Sequence, residues 1–585
     1  MTPAPLTSLV LLGLSTSALG APFSSSPIAT PPRTGPLIEV DVDLWNLSAR
    51  PSVDSTSHLV FDTVASLLQH WPNTRYRNGH NIVPGIIPVG TLLYRGQSGQ
   101  EISDQPDWIA MDPEHSRPFC ANFETFGCWH LSFVAVRPLK MLYFDGSSAA
   151  KMQGGPMDTQ DYVTWNATRP EWINIASEKM RIVELCNWGK RYQLDGFYRM
   201  EMDFEIMLCN FTSGIQLVSS VQLNTEFTEP KEILHGIPRP SDRGSLRDNY
   251  QVLQAGSWHN FYPGEGRIKL DLTRLISFYD TDLFPSLVPV RSGVDRLQHH
   301  ISGISDKDVQ VFRARLDEVL RDFENTPGIQ LDSTSGIDWR TLYQVIVDRY
   351  ADRLEMLRYI LNSTDPTAEN YSKNHTQTVN KAMFRLHLML TAYEDRTAHP
   401  PTMDSGVDKD LSWASPVYQY CATTHTSALY PFKSLFTKSE HLLLSALEGT
   451  NREICRVIVR LWAEGIEAGV PPVLPLRPIG RGYDDGPDVD WLPMLKHWKN
   501  EVEGLMSWLG WSIWLKCRPT CGMEETCYLP TWPWFKSNPL SISEAPLLGD
   551  FGAAGDDNDP DPDNEEWRNP LPRCIRRLEP FDWNF

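Results

Sequence analysis

Three carboxylates, Glu201, Asp203 and Glu205, alternate with Met202, Phe204, Ile206 and Leu208 along the segment Arg199–Leu208. A period of two is the signature of a β-strand, whose successive side chains point to opposite faces. Read as one strand, the segment turns its apolar side to a core. Its other side presents acids roughly 7 Å apart, twice the strand rise. Like charges at that spacing repel unless a cation, an arginine or a proton sits among them. Two kinds of chemistry fit. Two carboxylates about 5–9 Å apart can hydrolyse a glycosidic bond. A row of acids can also hold calcium. The non-catalytic reading is a solvated outer face, since charged residues are mostly exposed.

The elements around this strand fall into three regions. Residues 38–290 mix strands and helices into an α+β domain, with strands at 91–95, 129–136, 140–144, 216–223 and 267–272 and a helix over 171–188. Residues 300–470 form an α-helical domain. Helical periodicity runs through 305–324, 338–361 and 379–393, and capping boxes at Thr437–Glu440 and Thr450–Glu453 predict the starts of two further helices. Residues 488–585 are rich in Trp and Cys, with a helix predicted over 490–515 and an acidic, disordered loop at 549–566.

Tyr94-Arg95-Gly96 at the end of an apolar strand, followed much later by Asp203-Phe-Glu205-Ile-Met-Leu208, resembles the ADP-ribosyltransferase fold. That resemblance implies NAD as substrate. Glu205 would stabilise the ribose cation, Arg95 would hold the pyrophosphate through a bidentate fork, and Glu201 or Asp203 would orient the acceptor. Between them, residues 106–116 match the strand and short helix that often follow. The family's Ser-Thr-Ser strand has no counterpart, because Trp108–Met111 stands in its place, and Asp203 replaces the usual Glu or Gln. His80, in a loop ahead of the Arg95 strand, is placed in the same cleft. His299 and His300 read as a surface pair. The stretches 142–152, 195–209 and 527–534 resemble a set of uncharacterised secreted fungal proteins, a likeness that carries no activity.

The first twenty residues, with an apolar run at Leu6–Leu14 and small residues at 18–20, read as a secretory signal peptide. Residues 21–37 are a Pro/Ser-rich linker. Six sequons, at Asn46, Asn166, Asn210, Asn362, Asn370 and Asn374, agree with export, the last three clustering in one polar stretch read as a loop. The ten cysteines are an even set suited to an oxidising compartment. Cys120 and Cys128 read as a local disulfide. Cys517, Cys521 and Cys527, with Cys574 as a fourth partner, read as bridges rather than as a zinc site, so no metal site is assigned. The formal net charge of -20 argues against nucleic-acid or anionic-membrane binding, and no stretch is long and apolar enough to span a membrane. The sequence therefore points to a secreted, disulfide-bonded glycoprotein. It is either an NAD- or sugar-directed enzyme or a non-catalytic extracellular protein with a protein or glycan partner.

Overall fold

The computed structural model describes residues 44–120, 128–148, 155–168, 175–223, 250–324, 335–363, 371–401, 411–472, 489–530 and 569–578. The signal peptide, the linker, Asn370 and the acidic loop lie outside these residues. Val42–Phe585 packs as one compact unit.

Its centre is a mixed sheet. The strands are β1 (Asn81–Ile87), β2 (Leu92–Gln97), β3 (Asp107–Ala110), β4 (Cys128–Ala135), β5 (Leu139–Phe144), β6 (Gly196–Met200), β7 (Phe204–Leu208), β8 (Ile215–Leu223), β9 (Lys269–Leu270) and β10 (Ile276–Ser277). They lie in the order β10-β1-β5-β6-β7-β3-β2-β4-β8, with β9 also on β1. Among the described residues only β5 and β6 run parallel; the other pairs are antiparallel. One face of the sheet, through Ile82, Leu142, Phe144, Phe197 and Met207, packs on Ile182, Leu185 and Cys186 of the helix Ile175–Gly189. Phe312, Leu316 and Leu320 of the helix Asp306–Glu324 complete this core. Burial of such side chains, each contributing about 1.5–3 kcal/mol, holds the helices against the strands.

The single acidic strand expected over 199–208 is instead a hairpin. Arg199 faces Glu205 and Met200 faces Phe204 across β6 and β7, with 201–203 as the turn. Facing residues here have numbers of equal parity, so the alternation reads straight through the reversal. The 267–272 strand shrinks to β9, followed by a 3-10 turn over Leu272–Arg274.

The helical region follows its apolar stripes. The helices Asp306–Glu324 and Trp339–Asn362 match expectation, the second capped by Asp338 accepting from Thr341 N. Thr437 and Glu440 form the capping box of a helix that runs unbroken over Lys438–Glu467. The second box is not a start. Thr450 is buried inside that helix and Glu453 pairs with Arg456. The stripe Leu443, Leu447, Ile454, Ile458 and Leu461 continues through it, and packing overrides a local cap signal. The helix predicted over 490–515 runs over Leu492–Leu509 and stops at Gly510, whose φ of 61° makes the left-handed C-terminal cap. No helix among the described residues is long and apolar enough to cross a membrane.

The cysteines sit at disulfide distance as Cys120–Cys128, Cys186–Cys209, Cys421–Cys455, Cys517–Cys527 and Cys521–Cys574. Asn46, Asn166, Asn210 and Asn362 are exposed. Asn362 ends one helix and Asn374 lies within the helix Tyr371–Leu390, so the sequon cluster is not a single loop.

Candidate functional site

The β6–β7 hairpin is covered by the helix Ile175–Gly189, and this is where its acids go. Arg199 projects from β6 and donates from Nε to Glu205 Oε1 at 2.8 Å and from Nη2 to Glu178 Oε2 at 2.7 Å. Glu178 also accepts from Arg181, which reaches Asp161 at 2.6 Å. Arg181, Arg199 and Glu178 are each 1% exposed and Glu205 is fully buried. Burial opposes the charge on Arg199, but Glu178 and Glu205 hold its proton well above the usual arginine range. The face is therefore an enclosed ion-pair network, not a solvated one. Asp161, Glu178 and Glu205 outnumber the two guanidinium groups.

The short helix Pro113–Ser116 closes the other side. It brings His115 Nε2 to 3.8 Å from Glu205 Oε2. That oxygen is buried and accepts no hydrogen bond. Burial is the largest influence on His115 and depresses its pKa despite nearby Glu205 and Asp112, so the ring is held neutral. Glu201, at the turn, brings a third ligand atom within 4.8 Å of both.

A second cluster surrounds the hairpin tip. Asp112, His259 and Glu265 offer ligand atoms within 4.8 Å of one another, but Arg267 already occupies the space between them. It donates to Asp112 Oδ2 at 2.8 Å and to Glu265 Oε1 at 2.9 Å. Burial would raise Asp112, but His259 and Arg267 hold it below the ordinary carboxyl range. His259 is raised despite its burial by Asp112, Asp203 and Glu265. Asp203, fully buried and facing Asp112, is pushed well above the ordinary range, first by burial and then by that neighbour. Each cluster thus holds an arginine and one buried carboxylate oxygen without a donor, Asp203 Oδ2 in the second and Glu205 Oε2 in the first, but Arg267 bridges Asp112 and Glu265 whereas Arg199 leaves the side of Glu205 that faces His115 and Glu201 unfilled.

The family model described as the YPL277C N-terminal domain matches residues 50–131 and 127–242, a span that holds His115, Glu201 and Glu205. Two Saccharomyces cerevisiae proteins are similar to the chain. The uncharacterized protein YOR389W is 24% identical over 574 residues, covering 83% of each chain. The uncharacterized protein YPL277C is 25% identical over 406 residues, covering 55% of this chain and 78% of the relative. The likeness is to an uncharacterised fungal family. No solved structure matches the chain.

Within the span matched by the family model, Arg95 lies two strands from Glu205 in the order β2-β3-β7. The two do not pair. Arg95 donates to Asp107 Oδ2 at 2.7 Å and to the Trp108 carbonyl at 2.6 Å. His80 is elsewhere, stacked on Tyr279 at 4.2 Å with Nδ1 on the Asn78 carbonyl. His299 is buried against the same Tyr279 and is not a surface residue. The sequence reading missed His115, Asp112, His259, Glu265, Glu178 and Arg181. Asp112-Pro-Glu-His115 carried a signal, two ligand types one helical turn apart. His259 and Glu265 carried none, because only the folded chain brings them to the hairpin.

One more buried acid has a measurable consequence. Asp158 Oδ2 accepts from the backbone N–H groups of Ile301 and Ser302, both at 3.3 Å. Burial, with Asp161 adding, raises its pKa to about 7. A raised carboxyl pKa means that the folded state binds the extra proton. Its contribution is full below the unfolded value of 3.8 and is lost as pH rises to about 7. Asp158→Asn, which stays neutral, should gain stability relative to wild type as pH rises through that window. The gain cannot exceed about 1.4 kcal/mol per pH unit. Urea unfolding at pH 4, 5.5 and 7 measures it, and parallel wild-type and variant curves would contradict it.

Proposed function

We propose that the chain is a secreted, disulfide-bonded glycoprotein whose sheet binds one divalent metal ion through His115, Glu201 and Glu205. The observation that carries this is Glu205 Oε2, fully buried, without a donor, and 3.8 Å from a histidine that burial keeps neutral. A metal about 2.1 Å from its ligands holds them about 3–4 Å apart, so the pair needs little movement to share an ion. One imidazole and two carboxylates suit zinc, manganese or ferrous iron better than calcium, which prefers oxygen alone. The burial of the group favours an ion that ties the hairpin to the helices over one that meets substrate, which supports the non-catalytic extracellular reading. The signal-like leader, the exposed sequons and the paired cysteines support export.

The NAD-directed and glycosidase readings have weaker support. Arg95 and Glu205 are each committed to another side chain, and Asp203 faces Asp112 instead of joining Glu201 and Glu205. Purified protein should show no NAD hydrolysis. After chelator treatment and dialysis it should bind one equivalent of zinc or manganese by calorimetry. Glu205→Gln should weaken that binding at least about 100-fold, in line with loss of a metal ligand or its close support. Wild type that binds no metal, or a Glu205→Gln variant that binds as well as wild type, would refute the site. NAD cleavage would restore the transferase-like reading.

A further inference from the structure

A cavity of about 690 Å³ lies away from the hairpin, between the short helix Leu287–Arg291 with the loop and 3-10 turn that follow it to His299, residues 53–59 and residues 506–515. Its volume is that of a small-molecule site. Its walls carry Arg75, Arg291, Arg296 and Arg358 against the carboxylates of Asp54 and Asp295. This is a local reversal of sign in a chain whose net charge is -20.

Among the described residues only Arg296 of these four forms an ion pair, although Arg75 also acts on the same Asp62 through its charge. Arg296 is bound to Asp62 at 2.6 Å and lies over the Tyr76 ring, 3.6 Å from its centroid. Arg291 is buried, donates to the Phe278 and His300 carbonyls and lies over the Tyr279 ring, and its Nε has no acceptor. Arg75 Nη1 is buried and likewise unpartnered. Arg358, half-buried on the helix Trp339–Asn362, forms no ion pair among the described residues. Buried donors without acceptors are rare, because each forfeits the hydrogen bond it had in water. Arginines gathered around one cavity suit an oxyanion, and guanidinium groups fit phosphate through two parallel bonds.

The lining is also aromatic. Trp508 stacks on His58 at 4.2 Å and Trp511 on Trp514 at 5.3 Å. The Trp511 Nε1–H is buried with no acceptor. Flat indole surfaces in the same lining as these arginines fit a molecule with a ring attached to its anion. We propose that this cavity binds a small phosphate ester bearing a flat ring, of the nucleotide class, with the phosphate toward Arg75, Arg291 and Arg358 and the ring toward Trp508 and Trp511. Arg296, tied to Asp62, is a positioning residue.

The full glycosylated chain, titrated with AMP, ATP and inorganic pyrophosphate while tryptophan fluorescence is followed, tests this. AMP and ATP should quench the emission. Pyrophosphate should compete with them without quenching. Affinity should fall as salt rises from 50 to 300 mM, on the order of tenfold or more. Arg358→Ala, at a half-buried site without an ion pair, should fold normally by circular dichroism and weaken ATP binding at least about tenfold. Trp508→Leu should remove most of the quench while pyrophosphate still binds. Absence of nucleotide binding to wild type at millimolar concentration overturns the proposal. So does equal ATP affinity in wild type, Arg358→Ala and an Arg75→Ala/Arg358→Ala variant. Quenching unaffected by Trp508→Leu overturns the placement of the ring.

Discussion

Replacing Arg199 with methionine is expected to cost about 3–5 kcal/mol, the scale of breaking a buried ion pair on one side. Arg199 is 1% exposed and holds two carboxylates, Glu205 Oε1 from β7 and Glu178 Oε2 from the covering helix. Methionine fills much of the volume, so the loss is not mainly a cavity effect. It leaves Glu205 with neither oxygen hydrogen-bonded by a charged donor, in a site too dry to hydrate it. Both acids must then take up protons or draw in water, and either route costs free energy. Glu178 retains Arg181 at 3.1 Å, so the damage should concentrate on Glu205. The double variant Arg199→Met/Glu205→Leu should therefore recover part of the loss and fall well short of the sum of the single costs. Urea unfolding of the three variants measures this. If Arg199→Met costs under about 1 kcal/mol, the network is open to solvent and the enclosed-site description fails.

Gly96→Val should be comparably damaging, by about 3 kcal/mol or more, for a purely steric reason. A Cβ at Gly96 would stand 2.2 Å from the Ser116 carbonyl oxygen and 3.0 Å from Cys120 Sγ. The obstacle is backbone, which cannot rotate aside as a side chain can, so β2 and the helix Pro113–Ser116 must separate. That helix carries His115. The substitution should therefore lower metal affinity as well as stability, although Gly96 touches no ligand. Gly99→Ala is the control, since nothing lies within 4 Å of its Cβ. Thermal melting with and without zinc reads both effects. A Gly96→Val protein that melts like wild type would show that β2 and the helix are not in this close contact. One that is destabilised but binds metal normally would separate His115 from the site.

The glycine also explains part of the sequence resemblance. Tyr94-Arg95-Gly96 resembles an NAD-binding strand end, yet here each residue has a local task. Tyr94 pairs across to Ala110, Arg95 neutralises Asp107, and Gly96 admits the helix. A motif of three residues records residue types but not whether their bonding capacity is already taken.

Much of the framework was legible in the chain itself. Strands near 129–136, 140–144 and 216–223, and helices near 305–324 and 338–361, follow from periodicity, because a side chain's face is a local property of backbone repeat. The crowding of Cys517, Cys521 and Cys527 signalled bridges, with Cys574 as a fourth partner, but not which cysteine pairs with which. The acidic alternation at 199–208 falls on the β6–β7 hairpin. What it could not disclose was the reversal at 201–203, since facing residues of a hairpin with equal parity keep the same alternation as a single strand. Nor could it disclose that Glu205 would be met by Arg199 on one oxygen and His115 on the other. Which partner meets a charge, and whether water does, depends on contacts between residues far apart in the chain. Those contacts are set only when the helix Ile175–Gly189 and the segment Pro113–Ser116 close over the sheet.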